Sequence, residues 1–281
     1  MDVDLRKLRY FVAVATHLHF GRAADELHIA QPVLSRQIKA LEDELKVPLF
    51  VRDRRRTELT PAGEQLLADA RPLLASAEAL RRRVTRGHSR FTVAFMPGLI
   101  VTPTVRALAT RHPDLNIDVL RTTWADQTTV LHDGRADISH VRLPINTRDL
   151  QIHPLHSEPR VAVLPADHRL AGKDTLKIAD LADDHLLQDP DAVPEWRDIA
   201  VELRTGTRAD VQNLTIVEEK LERIATGAGV AVFPLSTAEF YTRPDVVHVP
   251  IADIGPTHVA LAWVSSRRSP LIAEYVTIAE E

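Results

Sequence analysis

Between Gln31 and Lys39 the sequence QPVLSRQIK sets Gln31, Pro32, Ser35, Arg36 and Lys39 within a few turns of one another. These side chains match what a DNA duplex displays. Arginine can pair bidentately with guanine and glutamine with adenine, while lysine and serine bond phosphates. A second basic group, Arg52, Arg54, Arg55 and Arg56, suits the phosphate backbone. Covalent chemistry finds no comparable set. There is no Gly-rich phosphate loop, no HExxH and no GxSxG. His17 and His19 form a lone H-x-H that reads as capping or core rather than metal ligation. The carboxylate pairs Glu218-Glu219 and Asp183-Asp184 are adjacent, so on a helix they point apart. The chain has no cysteine, which excludes a disulfide framework, a cysteine-ligated zinc finger and a thiol switch. The expectation is a binding protein with no catalytic residues, no metal and no cofactor.

Elements must hold these residues in place. In Gln31–Leu45, Leu34, Ile38, Leu41 and Leu45 recur at intervals of four, three and four, one narrow apolar stripe. Ser35, Arg36, Lys39 and Asp43 then face the other way. Pro32 suits the first turn of that helix. Ala23, Ala24 and Leu27 predict a helix before it, with a break near His28–Ala30, and Leu5–Thr16 predicts a third. Pro48–Thr60 reads as a hairpin with a basic tip. Thr60-Pro61 opens a long helix to about Arg86, with Thr60 as N-cap and a kink expected at Pro72. Leu66, Ala70, Leu73, Ala77, Leu80 and Val84 step along it at the spacing of a coiled-coil seam. Arg81 to Ser89 reads as its exit and a hinge.

Here the sequence resembles the LysR-type transcriptional regulators. The resemblance rests on LRKLRYFVAVA, FGRAADELHIAQPVLSRQIKALEDEL and PLFVRDRRRTELTPAGEQLL, dense over residues 5–67 and weaker to about residue 275. It implies an α/β protein with an N-terminal winged helix-turn-helix (residues 1–60), a dimerising linker helix and hinge (61–88), and a bilobed effector domain of the type II periplasmic-binding-protein kind (89–281). One lobe takes about 89–160 plus a C-terminal segment, the other about 161–265. The implied partners are a double-stranded DNA operator, a second copy through the linker helix, further copies making a homotetramer through the C-terminal domains, and RNA polymerase where the protein activates. A ligand-independent repressor and an extracytoplasmic solute-binding protein are the alternatives; the second leaves residues 1–60 unexplained.

Charge agrees with DNA at one end only. Residues 1–90 hold 17 Lys and Arg against 12 Asp and Glu, whereas the remainder holds 18 against 27. No apolar run approaches a membrane span, and MDVDLRKLR has no secretory pattern, so a cytoplasmic protein is expected.

Beyond residue 90, strands are expected at Phe91–Met96, Asn116–Arg121, Asp137–Val141, Val161–Leu164, Leu186–Gln188, Val230–Phe233, Val246–Val249 and Val259–Val264. Helices are expected after Thr102-Pro103 and at Thr128–His132, Glu195–Arg204, Ile216–Thr226 and Leu271–Glu280. Ligands of such α/β sheets sit beyond the carboxyl ends of strands. Two ends qualify: Pro97-Gly98-Leu99 to Thr102, where helix N–H groups could bind an anion, and Arg142, directly after DISHV. Trp124, His140, Trp196 and Phe233 are candidate walls. The expected effector is a small organic anion, a carboxylate or dicarboxylate of aromatic origin. The segments FMPGLIVTPTVRAL and DGRADISHVRLP are similar to the muconate- and chloromuconate-responsive subgroup, in which the arginine matching Arg142 contacts a ligand carboxylate. This chain departs from that subgroup at Pro97-Gly98, where Ser or Thr is usual, and at His156, which replaces an arginine.

Overall fold

The computed structural model describes residues 4–52, 57–86, 90–207, 214 and 216–281. Contacts divide the chain into two compact units, Met1–Gly87 with His132–Gly134, and His88–Leu131 with Arg135–Glu281.

The first unit begins with α1 (Leu5–His17), capped by the Asp4 carboxylate on the Arg6 N–H, then α2 (Phe20–Glu26) and α3 (Gln31–Leu45). The break between α2 and α3 turns on His28, held at a positive φ of 53°. Leu34, Ile38 and Leu41 of α3 are buried with Leu8, Phe11 and Val14 of α1, as the stripe requires. Two short strands, β1 (Phe50–Arg52) and β2 (Thr57–Leu59), form the wing, with Phe50 opposite Leu59. Glu42 of α3 anchors its base: one carboxylate oxygen accepts from Leu49 N at 2.8 Å and Phe50 N at 3.2 Å.

The long helix α4 (Pro61–Arg86) continues through Pro72. Thr60 Oγ1 accepts from Gly63 N at 3.0 Å, which is N-cap geometry. A side chain at Gly63 would put its Cβ 2.2 Å from the Leu49 carbonyl oxygen, so only glycine lets this helix lie on the wing. The seam of α4 divides. Leu66 is half-buried and Ala70 is 1% exposed, both within the core of their own unit. Leu73 and Leu80 instead stand 45% and 58% exposed, with Ala77 between them. The side chain of Val84 lies outside the described residues.

The second unit carries two sheets. The larger has the order β4-β3-β5-β10-β6, built from β3 (Arg90–Phe95), β4 (Asn116–Arg121), β5 (Ile138–Leu143), β6 (Leu150–Glu158) and β10 (Thr257–Val264). Helices α5 (Thr102–Arg111), α6 (Thr129–His132) and α11 (Pro270–Glu280) accompany it. The smaller sheet, β8-β7-β9, pairs β7 (Arg160–Pro165) with β8 (Ala231–Pro234) and β9 (Val246–Pro250). It carries α7 (Pro194–Arg197), α8 (Val201–Thr205), α9 (Val217–Ala225) and α10 (Leu235–Phe240). The chain crosses between the sheets at Pro159 and again between β9 and β10.

Several elements differ from their sequence patterns. β6 carries Pro154, which reads against a strand; it is an edge strand with a bulge, where proline is tolerated. Leu186–Gln188 makes a single bridge, Leu186 to Val230, and no strand. The helix expected over Glu195–Arg204 breaks in two because Ala200 is extended, which lets Val201 N donate to Ala182 O at 2.9 Å. Arg142 lies inside β5 rather than after it, opposite Val259. Thr102 is the first residue of α5, with Val101 as its N-cap.

Candidate DNA-reading face and interlobe cleft

On α3 the buried stripe fixes which residues look outward. Gln31, Pro32, Arg36 and Lys39 are exposed and Ser35 is half-exposed. Arg36 Nε donates to Pro32 O one turn back at 3.3 Å, the only hydrogen bond recorded for its side chain among the described residues. A row of long polar side chains on a rigid helix, facing away from the core, is the arrangement that base edges and phosphates require. The backbone of Arg52 ends β1, while its side chain and Arg54, Arg55 and Arg56 lie outside the described residues.

The second unit brings together a different set. Arg142 is 2% exposed. Its Nε donates to Glu158 Oε1 at 3.2 Å, Nη1 to Pro97 O at 2.8 Å and Nη2 to Ser236 Oγ at 2.9 Å. Its backbone is gripped as well: Arg142 N donates to Gln127 Oε1 at 2.9 Å, and Gln127 Nε2 donates to Arg142 O at 3.3 Å. Burial lowers the pKa of the guanidinium, while the charge and hydrogen bond of Glu158 raise it. The carboxylate is shared, since Glu158 Oε2 accepts from Ser236 N at 2.9 Å at the start of α10. Thr237 Oγ1 donates to the same Pro97 carbonyl at 3.0 Å. Gly98 completes the contact at a φ of +82°, where a Cβ would lie 2.6 Å from Thr237 Cα. Arg142 therefore stitches the loop after β3 to the chain entering α10, one sheet to the other.

Of the expected site residues, Pro97, Gly98 and Arg142 meet here. Leu99 is buried beside Met96 and Val259, Thr102 is exposed at the start of α5, and Trp124 is 45% exposed on the turn that Gln127 ties to β5. Two walls are core instead. Trp196 has no exposed surface, packs under the smaller sheet and donates its indole N–H to Leu181 O at 2.9 Å. Phe233 is 4% exposed, packed with Val161, Leu187 and Leu221. His140 is also buried, with Nε2 2.9 Å from the Tyr275 hydroxyl. Sequence reasoning missed Glu158, Ser236 and Gln127. Ser236 alone had a local signal, the proline preceding a short helix; Glu158 depended on recognising β6. Among the described residues no cluster suits a metal ion, and no helix is long and apolar enough to cross a membrane.

Comparison with known proteins agrees with both units. Residues 5–64 match the model of the bacterial regulatory helix-turn-helix protein, lysR family, and residues 83–281 match the LysR substrate binding domain. The chain is 33% identical over 294 residues to the Hca operon transcriptional activator HcaR of Escherichia coli, covering 99% of this chain and 98% of that one. It is 32% identical to the regulator CatR of Pseudomonas putida, covering 98% of each. Full-length BenM is similar in structure, with a TM-score of 0.53 and 27% identity over 99% of this chain and 95% of that one. CbnR, a LysR family transcriptional regulator, shares the fold at a TM-score of 0.62 and 23% identity, over 99% of this chain and 98% of that one. The two family matches, which together span residues 5–64 and 83–281, and a 33% identical full-length relative place this chain in the LysR family of transcriptional regulators.

Proposed function

We propose that the protein reads a DNA operator through α3 and the basic wing, and that a small organic anion in the cleft between the two sheets changes its effect on transcription. The observation that carries the DNA reading is the outward row Gln31, Ser35, Arg36 and Lys39 on a helix whose other face is buried. The effector is a carboxylate or dicarboxylate, in the manner of the muconate-responsive subgroup the sequence resembles. The groups this reading assigns to it are the N-terminus of α5, the exposed ring of Trp124 and the guanidinium of Arg142. Three of the five N–H donors of that guanidinium are engaged with Glu158, Pro97 and Ser236. An effector carboxylate reaches Arg142 by replacing one of these partners, and so couples binding to the contact between the sheets. The protein works in the cytoplasm as a homodimer through Leu73, Ala77 and Leu80 of α4, two dimers form a tetramer, and RNA polymerase is its partner where it activates. Two half-sites need two recognition helices held about one DNA turn, or a multiple of it, apart.

The test is duplex selected from a random pool, shifted on a gel by the full chain under excess nonspecific competitor, with and without cis,cis-muconate or adipate. A sequence-specific complex altered by a dicarboxylate is expected. Leu73→Glu with Leu80→Glu should yield monomers in sedimentation and abolish that complex. Failure to select any sequence counts against the DNA reading, and unaltered complexes with either acid count against the dicarboxylate.

A further inference from the structure

The smaller sheet is covered unevenly along its edge strand β9. Val163 of β7 stands opposite His248 of β9, and Val161 stands opposite Pro250. Cross-strand partners share a face, as do alternate residues of one strand. Val161, Val163, Val246 and His248 therefore point the same way. This is the face that α9 and α10 cover, with Leu221 and Ala238 packed in one cluster with Val161 and Val163. Val163 is buried there, yet His248, one strand further out, is exposed. The helical cover runs out between β7 and the edge of the sheet.

A cavity of about 300 Å³ opens where the cover ends. Its floor is Val163, Leu221 and Ala238, all buried, and Val246, Val247 and the ring of Tyr241 add apolar walls. That volume suits a molecule of one ring, at the lower end of the range for small-ligand pockets. Pro97, Gly98, Trp124, Arg142 and Ser236 of the interlobe cleft lie outside the lining. Charge at the rim selects against ions of either sign. Arg243 lines the cavity, and its Nε and Nη2 donate to Asp245 at 2.9 and 2.8 Å while Nη1 donates to Glu222 of α9 at 2.6 Å. Two carboxylates outweigh the one guanidinium, so an anion gains little there. A cation meets Arg243 first, because Glu222 and Asp245 are not on the lining. Open polar groups for a neutral ligand remain. The Tyr241 hydroxyl is engaged with Glu218 and Arg121. The Thr242 hydroxyl and the His248 ring are on exposed residues of the lining, and neither has a hydrogen-bond partner among the described residues. Both can donate to or accept from a ligand hydroxyl.

We propose that this cavity on the smaller sheet is a ligand site, separate from the interlobe cleft, for a compact neutral phenol with its ring on Val163, Leu221 and Ala238 and its hydroxyl at His248 and Thr242.

The test uses the full chain and fluorine NMR at pH 7, with 4-fluorophenol as probe. Fluorobenzene lacks its hydroxyl, and 4-fluorobenzoate carries a charge. Phenols titrate near pH 10, so the probe is neutral. Saturable binding of the phenol is expected. Thr242→Trp, which fills the mouth, should abolish it, and the binding that this variant removes defines the site for each compound. Within that component the phenol should bind about fivefold tighter than either counterpart. His248→Ala should weaken the phenol about fivefold, the usual effect of one lost neutral hydrogen bond. Both substituted residues are exposed, so the fold should survive either change; unaltered thermal unfolding checks this. Trp124→Ala, in the cleft, should leave probe binding within about twofold. No saturation by about 10 mM probe would overturn the site. So would equal affinity for the phenol and either counterpart, undiminished binding to Thr242→Trp, or a Trp124→Ala loss as large as that of His248→Ala.

Discussion

Arg36 and Arg142 are both arginines on regular elements, and both are expected to meet a ligand. Their surroundings are opposite. Arg36 stands exposed on α3, with a 3.3 Å bond to its own helix as its side chain's one hydrogen bond among the described residues. Arg142 is buried in β5, bonded to a carboxylate, a carbonyl and a hydroxyl. The first is free to give its guanidinium to DNA at little cost to folding. The second is part of what holds the two sheets together, so any ligand it serves must compete with a structural contact. The same side chain thus faces solvent in one unit and acts as a clasp in the other. The difference is one of desolvation: an exposed charge is solvated by water until its partner arrives, whereas a buried charge must already have its partners in the folded chain.

The largest effect should follow from opening the clasp. Arg142→Met leaves Glu158 buried with only the Ser236 N–H, and breaking a buried pair from one side typically costs about 3–5 kcal/mol. All three tryptophans, Trp124, Trp196 and Trp263, belong to the second unit, so tryptophan fluorescence in urea reports its stability alone. Arg142→Met with Glu158→Gln removes both charges and should recover most of the loss. If the single variant unfolds at the wild-type urea concentration, the clasp is not structural and the contrast with Arg36 disappears.

A smaller effect belongs to His140, whose folded-state pKa is lowered to about 4 by burial and by His156. A base with a depressed folded pKa contributes stability above its unfolded value, near 6.5, and that contribution is lost as pH falls toward 4. Between pH 7 and pH 5 the loss from this one group should be about 2 kcal/mol. The same urea unfolding at the two pH values, compared with His140→Gln, isolates it, because the variant keeps every other titrating group. An equal pH dependence in both proteins would remove His140 from the account.

The two units also differ in how far their sequence discloses them. In the first unit each local pattern agrees with the fold. The stripe Leu34, Ile38, Leu41 faces the core, Thr60 caps α4, and the glycine of LTPAG is demanded by a carbonyl 2.2 Å from where its Cβ would stand. In the second unit what matters is long-range. Glu158 meets Arg142 across 16 residues and Ser236 across 78, on a strand disguised by Pro154. Trp196 and Phe233 look like cleft walls because aromatic residues suit both ligands and cores, and only their packing assigns them to the core. The α4 seam shows the same limit within one helix: a heptad pattern marks an apolar face but not which neighbour covers it, and Leu66 and Ala70 are covered by their own unit.

The smallest effect on folding should come from Arg36, and there the comparison is sharpest. Its guanidinium is exposed and, among the described residues, bonds only Pro32 O within the same helix. Exposed substitutions of this kind usually change stability by less than about 0.5 kcal/mol. Arg36→Ala should therefore melt with wild type. On DNA the same change should be large, because a bidentate arginine–guanine pair contributes about 1–3 kcal/mol of discrimination. Arg36→Lys separates charge from geometry: it keeps attraction to phosphate but not the planar fork, so specificity should fall while affinity for random duplex is retained. Competition binding on the selected sequence and on random duplex, at one fixed salt concentration, measures both quantities at once. Equal losses on the two duplexes in Arg36→Ala would make Arg36 a phosphate contact, and the base reading on α3 would then rest on Gln31, Ser35 and Lys39.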